Sequence, residues 1–218
     1  MKRFFFKNAR LIDGTGAPAV ENGMLVTEIP EKQGQDGKIL YAGEAQNCEI
    51  KPDPEDKIVD LNGYSLLPGL FNCHVHLWLS STKPAFKADH LGVPFRTLMF
   101  YRNTLESLIA GTTSMRTVGG SDDIDIALRS ALSKGFVWGS RMITCGPPIE
   151  PHGGHCWITW GTVECSGPDE FVRAARREIG KGVDQIKLMY SGGAGGGAEE
   201  GMYDTHITDE EAAAVCKV

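Results

Sequence analysis

Two histidines, His74 and His76, stand two positions apart at the end of an apolar run that begins at Leu66. Alternate residues of a β-strand face the same side, so the two imidazoles project together while Cys73 and Val75 point the other way. Converging imidazoles are typical metal ligands. A chance pair of histidines on a strand is the alternative, and the pair alone does not decide between them.

A lysine, Lys187, lies inside a second apolar run at residues 183–190. A buried ammonium without a partner carries a large desolvation cost, so its charge must be neutralised. A salt bridge or a pKa lowered by burial is one explanation. Spacing offers another, because Lys187 follows His74 by three units of about 38 residues, which predicts a fourth strand in the same sheet, near the same end.

The elements that would carry these residues alternate between apolar strands and helices from Gly63 onward, a pattern typical of βα units around a parallel sheet. The predicted strands are the histidine strand, 112–118, 136–144 and 183–190. The predicted helices are 95–110, one from Ser121 as N-cap with Asp122 and Asp123 in its first turn to Gly135, one from Pro168 to Gly180, and one opened by a capping box of Thr208 and Glu211.

The residues before this region read as short strands at 8–12, 23–29 and 38–42, separated by turns. We therefore predict two domains, a small all-β unit at 1–61 and a βα region at 62–218. An open four-stranded parallel sheet is possible for the second, but the histidine strand favours a closed (β/α)8 barrel of about 250 residues. Four units would be half of such a barrel, so we expect a fragment or truncated product.

Composition narrows the range of partners. Lys plus Arg is 22 against 28 Asp plus Glu, and the basic residues are scattered, which argues against nucleic acid. No apolar stretch approaches the roughly 20 residues of a membrane helix, so no membrane partner is expected and the cytosol is the default compartment.

Six cysteines without a C-x-x-C pair predict reduced, buried packing residues. A G-x-G-x-x-A match from Gly193 to Ala198 lacks a following helix, so a loop over the barrel mouth is favoured over a dinucleotide site.

Together these motifs resemble the metal-dependent amidohydrolase superfamily, in particular its imidazolonepropionase-like and prolidase-like branch. Residues 8–16 resemble the opening sandwich strand of that branch, and 67–76 resemble its H-x-H strand. Residues 111–120 resemble its second barrel strand, and 186–193 the strand of its carboxylated lysine. The resemblance implies an α/β fold, a partial (β/α)8 TIM barrel with strands 1 to 4, and part of a small N-terminal β-sandwich.

The resemblance also implies a chemistry. His74 and His76 would bind a divalent metal, with zinc expected and manganese, iron or cobalt also suited, and Lys187, carbamylated by CO2, would bridge to a second ion. Metal-activated hydroxide would attack an amide-type C–N bond of a small-molecule substrate. His155 matches the histidine of the family's Gly-Gly-His loop, so we expect it to donate to the substrate carbonyl; a solvated loop histidine is the alternative. The sequence leaves the oligomeric state open, with a homo-oligomer as one alternative.

The chain departs from this pattern in two respects. Thr117 stands where relatives often carry Asp, which puts the hydrogen bonds of that carboxylate to neighbouring strands in doubt. Relatives take two further histidines and a catalytic aspartate from later strands, and the sequence stops in the helix before strand five. We therefore expect these residues alone to be inactive. The competing hypothesis is a non-catalytic truncated product that binds metal or a partner through its sheet edges.

Overall fold

The computed structural model describes residues 2–31, 36–79, 91–155, 161–193 and 201–218. They form a mixed α/β fold that separates into two compact units, one of residues up to Leu70 with Ser133–Phe136 and one of Phe71–Leu132 with Val137–Val218. The division between residues 61 and 62 stays a prediction. Residues 62–70 belong to the first compact unit, because the strand Ser65–Leu66 within them pairs with the first strand of the chain.

The first unit is a five-stranded sheet around a small apolar core of Phe5, Val26 and Cys48. Strands β1, β2 and β3 are antiparallel, while β4 and β5 run parallel to β1. The predicted strands are all present, and each is longer than predicted. Their bounds are β1 (Lys2–Leu11), β2 (Val20–Ile29), β3 (Lys38–Glu44), β4 (Lys57–Asp60) and β5 (Ser65–Leu66), with a 3-10 turn at Ala45–Asn47 after β3.

The second unit alternates strands and helices. Its strands are β6 (Leu70–Val75, whose first residue groups with the first unit), β7 (Thr112–Thr117), β8 (Arg141–Ile143), β9 (Ile149–Pro151) and β10 (Val163–Cys165). Its helices are α1 (Val93–Ile109), α2 (Ile124–Ser133), α3 (Pro168–Gly180) and α4 (Asp209–Cys216). One sheet has the order β6-β7-β8 with β7 parallel to β8, and β9 pairs with β10 in parallel.

Two apolar clusters hold this unit together. One is formed by residues of β7, β8, α1, α2 and the turn after β6: Leu77, Phe100, Met115, Ile124, Leu128 and Met142. The other joins β9 and β10 to α3, α4 and the residue that precedes the α4 cap: Ile149, Cys165, Phe171, Ala174, Ala175, Ile207 and Val215. Each cluster forms where the apolar side of strands meets the apolar stripe of amphipathic helices, as βα units require.

The predicted fourth strand at 183–190 is wrong as a regular strand. A single parallel bridge joins Leu188 to Ile149, and the amides of Asp184 and Gln185 donate to the carbonyl of Thr144. Pro147 and Pro148 lie between these two contact points and have no N–H to donate. The hydrogen-bond ladder between residues 144–149 and 184–188 is therefore interrupted. The segment 183–190 nevertheless lies beside the strand that precedes it in the predicted order.

The predicted start of the second helix is also wrong. Asp122 and Asp123 have φ values of 53° and 58°, so they lie in the left-handed region, and α2 begins only at Ile124. Asp tolerates this region better than most residues. Their carboxylates form ion pairs with Arg96 and Lys181, which draw them out of the first helical turn.

Three burial or strand predictions need correction. The third strand is confined to β8, since Phe136 and Trp138 of its predicted range are 78% and 65% exposed. The histidine strand is not buried on both faces: in the described sheet β6 is at an edge, and Phe71 is 71% exposed. Of the cysteines, 48, 145 and 165 are buried as predicted, whereas 73 and 216 are exposed. Cys156 lies outside the described residues.

The described residues form no closed barrel, and the partial barrel of strands 1 to 4 stays a prediction. Their sheets are the open β6-β7-β8 and β9-β10 arrangements, and a second layer of the predicted sandwich is likewise not among them. The loop predicted from the glycine run at 194–198 lies outside the described residues. None of the helices described combines the length and apolar character needed to cross a membrane.

Replacing Phe171 with alanine should destabilise the second unit by about 3 to 5 kcal/mol, because its ring is completely buried in the cluster that joins β9 and β10 to α3 and α4. Urea unfolding followed by circular dichroism measures the change. Phe136→Ala is the matched control and should change stability little, since that ring is exposed. Equal effects of the two substitutions would contradict the assigned core.

Candidate metal centre

The two histidines lie at the carboxyl end of β6 and directly beyond it. Val118 at the end of β7 donates its amide to the carbonyl of Val75, which fixes the backbone between the histidines. The Asn103 side chain of α1 donates to the carbonyls of Leu77 and Leu79, at 2.7 and 2.8 Å. The chain that leaves His76 is therefore held by both a neighbouring strand and a helix.

The imidazoles of His74 and His76 face each other edge to face, with ring centroids 5.2 Å apart. His74 is exposed and His76 is half-buried. Burial, followed by the charges of His74, Lys187 and His155, lowers the pKa of His76 to about 4. Burial and the charges of Lys187 and Arg116 lower the pKa of His74. Both rings are thus held in the neutral form that binds metal ions.

Lys187 lies in the extended segment that follows α3. Its carbonyl accepts the amide of Ile149, and the amide of Met189 donates to the carbonyl of Ile149, so this segment continues beside β9. Ile186 and Leu188 pack against the apolar cluster that joins β9 and β10 to α3 and α4, whereas the charge of Lys187 acts on His74 and His76. The half-buried ammonium has no hydrogen bond or ion pair to another residue of the described ranges.

His155 lies against the glycine pair that follows the lysine segment. An added Cβ on Gly193 would lie 2.6 Å from Nε2 of His155 and even nearer to Cε1, so the imidazole rests directly on the Gly193 backbone. The charge of His155 also contributes to the lowered pKa of His76. The structure therefore places all four residues singled out by the sequence in one unit, with Lys187 and His155 within electrostatic range of His76.

A buried carboxylate that the sequence analysis missed lies behind this group. Asp125, in the first turn of α2, is fully buried, and its Oδ2 accepts from Thr117 Oγ1 at 3.0 Å. The same oxygen accepts the backbone amides of Cys145 and Gly146. Thr117 thus reaches a carboxylate through its hydroxyl. No short-range pattern could have revealed this, because the bonds join residues 8 to 21 positions apart.

Two further side chains complete the surroundings. Arg116 donates from Nε to the carbonyl of Cys73 at 2.7 Å, which places its positive charge near His74. Burial and the neighbouring Asp125 raise the pKa of the Cys145 thiol to about 12. Cys145 therefore stays protonated at neutral pH and is suited neither to metal binding nor to nucleophilic attack.

The described residues contain no group of three or more His, Cys, Asp or Glu side chains placed to hold a metal ion. The histidine pair supplies two nitrogen donors, and Nδ1 of His76 is buried without a hydrogen-bond partner in the part of the chain that the structure describes. A complete centre therefore needs oxygen donors from elsewhere, of which a modified Lys187 is one. The ligand roles of His74, His76 and Lys187 and the catalytic role of His155 stay predictions.

The lowered pKa of His76 predicts a pH-dependent stability of the metal-free chain. Folding lowers this pKa from about 6.5 to about 4, so between these values the unfolded chain binds a proton that the folded chain rejects. The contribution of His76 is fully present above about pH 6.5 and is lost as pH falls toward about 4. Urea unfolding across this range measures the slope.

His76→Gln should reduce this slope, and His152→Gln, which retains His76 and removes an exposed histidine, is the matched control. A wild-type slope in His76→Gln would contradict the assignment.

The contact between His155 and Gly193 predicts that Gly193→Ala displaces the imidazole, because an added Cβ comes closer than 3.0 Å to two ring atoms and one group must move. Changed ring resonances of His155 in two-dimensional NMR spectra report the displacement. Gly180→Ala is the control, since a Cβ there meets no atom within 4 Å. Unchanged His155 resonances in Gly193→Ala would remove the contact from the site.

Comparison with known proteins gives one curated relative and several solved structures. No protein-family model matches the chain. Imidazolonepropionase of Mesorhizobium japonicum is 37% identical over 76 residues, which cover 33% of this chain and 17% of that protein. A Xaa-Pro dipeptidase with bound methionine in its active site is 26% identical, with a TM-score of 0.80 over 99% of this chain and 53% of the other.

Two other solved structures share the fold. An amidohydrolase is 23% identical, with a TM-score of 0.79 over 98% of this chain and 52% of the other. The ochratoxinase of A. niger is 20% identical, with a TM-score of 0.75 over 99% and 53%. The chain spans about half the length of these solved chains. Its structural neighbours are amidohydrolase- and prolidase-type proteins, and the resemblance to the amidohydrolase superfamily predicted from its motifs is confirmed.

Proposed function

We propose that this chain carries part of the active site of a metal-dependent hydrolase of C–N bonds, built on the first half of a (β/α) barrel. His74 and His76 bind a divalent metal, and Lys187 is a carbamate that supplies oxygen donors. The observation that carries the proposal is the edge-to-face histidine pair, with Nδ1 of His76 buried and unpartnered, in the electrostatic field of Lys187 and His155.

The residues present fit a divalent metal. A buried polar atom without a partner is costly, and no described residue forms a hydrogen bond with Nδ1 of His76, which is compatible with an additional ligand at this ring. The lowered pKa values of both histidines remove the competing proton near neutral pH. Imidazole donors combined with a carboxylate-like oxygen suit zinc, which we propose as the metal, and manganese, iron or cobalt accept the same donors.

Carbamylation of Lys187 is supported by the sign of the surrounding charge. Lys187, Arg116 and His155 are cationic or become so on protonation, and the pKa shifts of the two histidines are traced to such groups and to burial, with no carboxylate among the causes. In carbamylation the neutral amine attacks CO2, a C–N bond forms, and one proton leaves to water. The product is an anion, which converts a repelled cation into a ligand oxygen and reverses the local charge.

A bound metal pair would supply a Lewis acid and lower the pKa of a water molecule. The chain's own residues would then orient the substrate. His155, resting on Gly193, donates a hydrogen bond to the carbonyl oxygen of the scissile amide. The names of similar proteins, imidazolonepropionase and Xaa-Pro dipeptidase, favour amide, cyclic amide or dipeptide-like substrates of small size. We also propose a cytosolic location, and the oligomeric state stays open between a monomer and a homo-oligomer.

The described residues add no third His, Cys, Asp or Glu side chain to the histidine pair as a metal ligand. The 218-residue chain is therefore proposed to bind metal without appreciable turnover, and the activity belongs to a protein with the remaining ligands and a general base in place. The alternative is a non-catalytic metal-binding or interaction fragment. Metal-dependent amide hydrolysis by a version of the protein as long as its relatives separates the two, since the alternative predicts no turnover at any length.

Lys187→Ala should weaken Zn2+ binding by at least about tenfold, since it removes the carbamate oxygen. Lys187→Arg should have a similar effect, because arginine retains the positive charge but does not form this carbamate. Calorimetric titration with Zn2+ in bicarbonate buffer measures the affinity, and 13C NMR with labelled bicarbonate should show a carbamate signal in the wild-type chain only.

Lys38→Ala, at an exposed position in the first unit, is the matched control and should bind Zn2+ like the wild type. The proposal is wrong if Lys187→Ala binds Zn2+ with unchanged affinity and the wild-type chain shows no carbamate signal. If His74→Ala and His76→Ala also leave the affinity unchanged, the histidine pair is excluded as well.

A further inference from the structure

We infer that Asp125 is a positioning residue for the histidine site. Its buried carboxylate ties the carboxyl ends of β7 and β8 to α2 and, through Gly119 and Gly120, fixes the ring of His76. The consequence for metal affinity rests on the proposed function, whereas the packing of the ring stands on the structure alone.

The carboxylate is the convergence point of three different elements. Oδ2 accepts the Thr117 hydroxyl at the end of β7 at 3.0 Å, and the amides of Cys145 and Gly146 after β8 at 3.3 and 3.0 Å. Oδ1 accepts the amide of Ile126 within α2. No ion pair to Asp125 exists within the described residues. A fully buried charge that depends on four neutral donors is very sensitive to their geometry, because each donor compensates its desolvation.

The link from this carboxylate to His76 runs through two consecutive glycines. An added Cβ on Gly120 would lie 2.5 Å from Oδ1 of Asp125, so the backbone there lies directly against the carboxylate. The amide of Gly120 also donates to the carbonyl of Gly146 at 2.8 Å. An added Cβ on Gly119 would lie 3.4 Å from Nδ1 and 3.6 Å from Cε1 of His76. The Gly119–Gly120 backbone therefore lies between the carboxylate and the imidazole, directly against the carboxylate and close enough to the ring that a methyl group on Gly119 would be in van der Waals contact with it.

A second set of bonds fixes the same strand end from the other side. Gln185 Nε2 donates to the carbonyl of Thr117 at 2.9 Å, which connects β7 to the segment that carries Lys187. Asp125 and Gln185 therefore hold Thr117 by its side chain and its backbone, respectively. A shift of this strand end would change the relation of His76 to Lys187, which are the groups that the proposed metal must reach together.

The carboxylate and Thr117 divide the hydrogen bonds at this strand end between them. Thr117 provides a hydroxyl that donates, and the anionic acceptor comes from the first turn of α2. The backbone amides of Cys145 and Gly146 are thereby satisfied by a carboxylate on the helix. Thr117 of β7 and Asp125 of α2 thus act together through one hydrogen bond.

The test uses the 218-residue chain with Co2+ alone as the probe, followed by its visible absorption, and NMR of the metal-free chain. Asp125→Asn replaces one accepting oxygen by an NH2 group, which cannot accept the hydrogen bonds that the carboxylate accepts. The ends of β7 and β8 should therefore separate. We expect Co2+ affinity to fall at least about tenfold and the nuclear Overhauser contact between the Gly119 Hα and the His76 ring to weaken. Thr117→Ser, which keeps the hydroxyl, should retain both.

Glu211→Gln is the matched control, because Glu211 is also a buried carboxylate that accepts backbone amides, those of Gly167 and Thr208, but lies in α4. It should lose stability and keep both Co2+ affinity and the ring contact. A folded Asp125→Asn with wild-type affinity and an unchanged contact would overturn the inference.

If Asp125→Asn does not fold, Thr117→Val replaces it as the test, since it removes only one donor to the carboxylate. Reduced Co2+ affinity with a weakened ring contact supports the inference, and wild-type values of both overturn it. If the wild-type chain binds no Co2+, the proposed metal site fails, and the ring contact alone then supports or overturns the role of Asp125.

Discussion

The candidate site depends on the parallel pairing of strands in the second unit, which places the residues that follow paired strands at the same end of each sheet. β7 pairs with β8 in parallel, and the bonds between Ile149 and residues 187–189 continue the arrangement to the lysine segment. Residues far apart in the chain are thereby brought to the same edge. Two imidazoles, an amine and a loop histidine then share one electrostatic environment, as the lowered pKa of His76 shows.

Two features of the histidine pair favour an additional ligand. Cationic groups act on both imidazoles, and Nδ1 of His76 is buried without a hydrogen-bond partner among the described residues. The buried carboxylate of Asp125 is occupied by donors of β7, the loop after β8 and α2. It therefore organises the strand ends and is not available as a metal ligand. A divalent metal with an anionic lysine derivative would relieve both features.

Local patterns predicted those parts of the fold that local interactions determine. The spacing of His74 and His76, the Thr208 capping box and the helix that begins at Pro168 each depend on residues within a few positions of one another, and the structure has them. The start of α2 was wrong, because ion pairs to distant Arg96 and Lys181 override the preference of Asp122 and Asp123 for a first helical turn. The regular fourth strand was wrong because two prolines in the neighbouring segment break the ladder. Asp125 was missed because its partners come from two other elements.

Anomalous X-ray diffraction from crystals grown with Zn2+ and bicarbonate tests the central claim most directly. The account predicts an anomalous peak bonded to the imidazoles of both His74 and His76, with continuous density from Lys187 Nζ to a carbamate oxygen at the same centre. An unmodified Lys187 amine directed away from the imidazole pair, or zinc bound elsewhere while both imidazoles remain without metal, would contradict it.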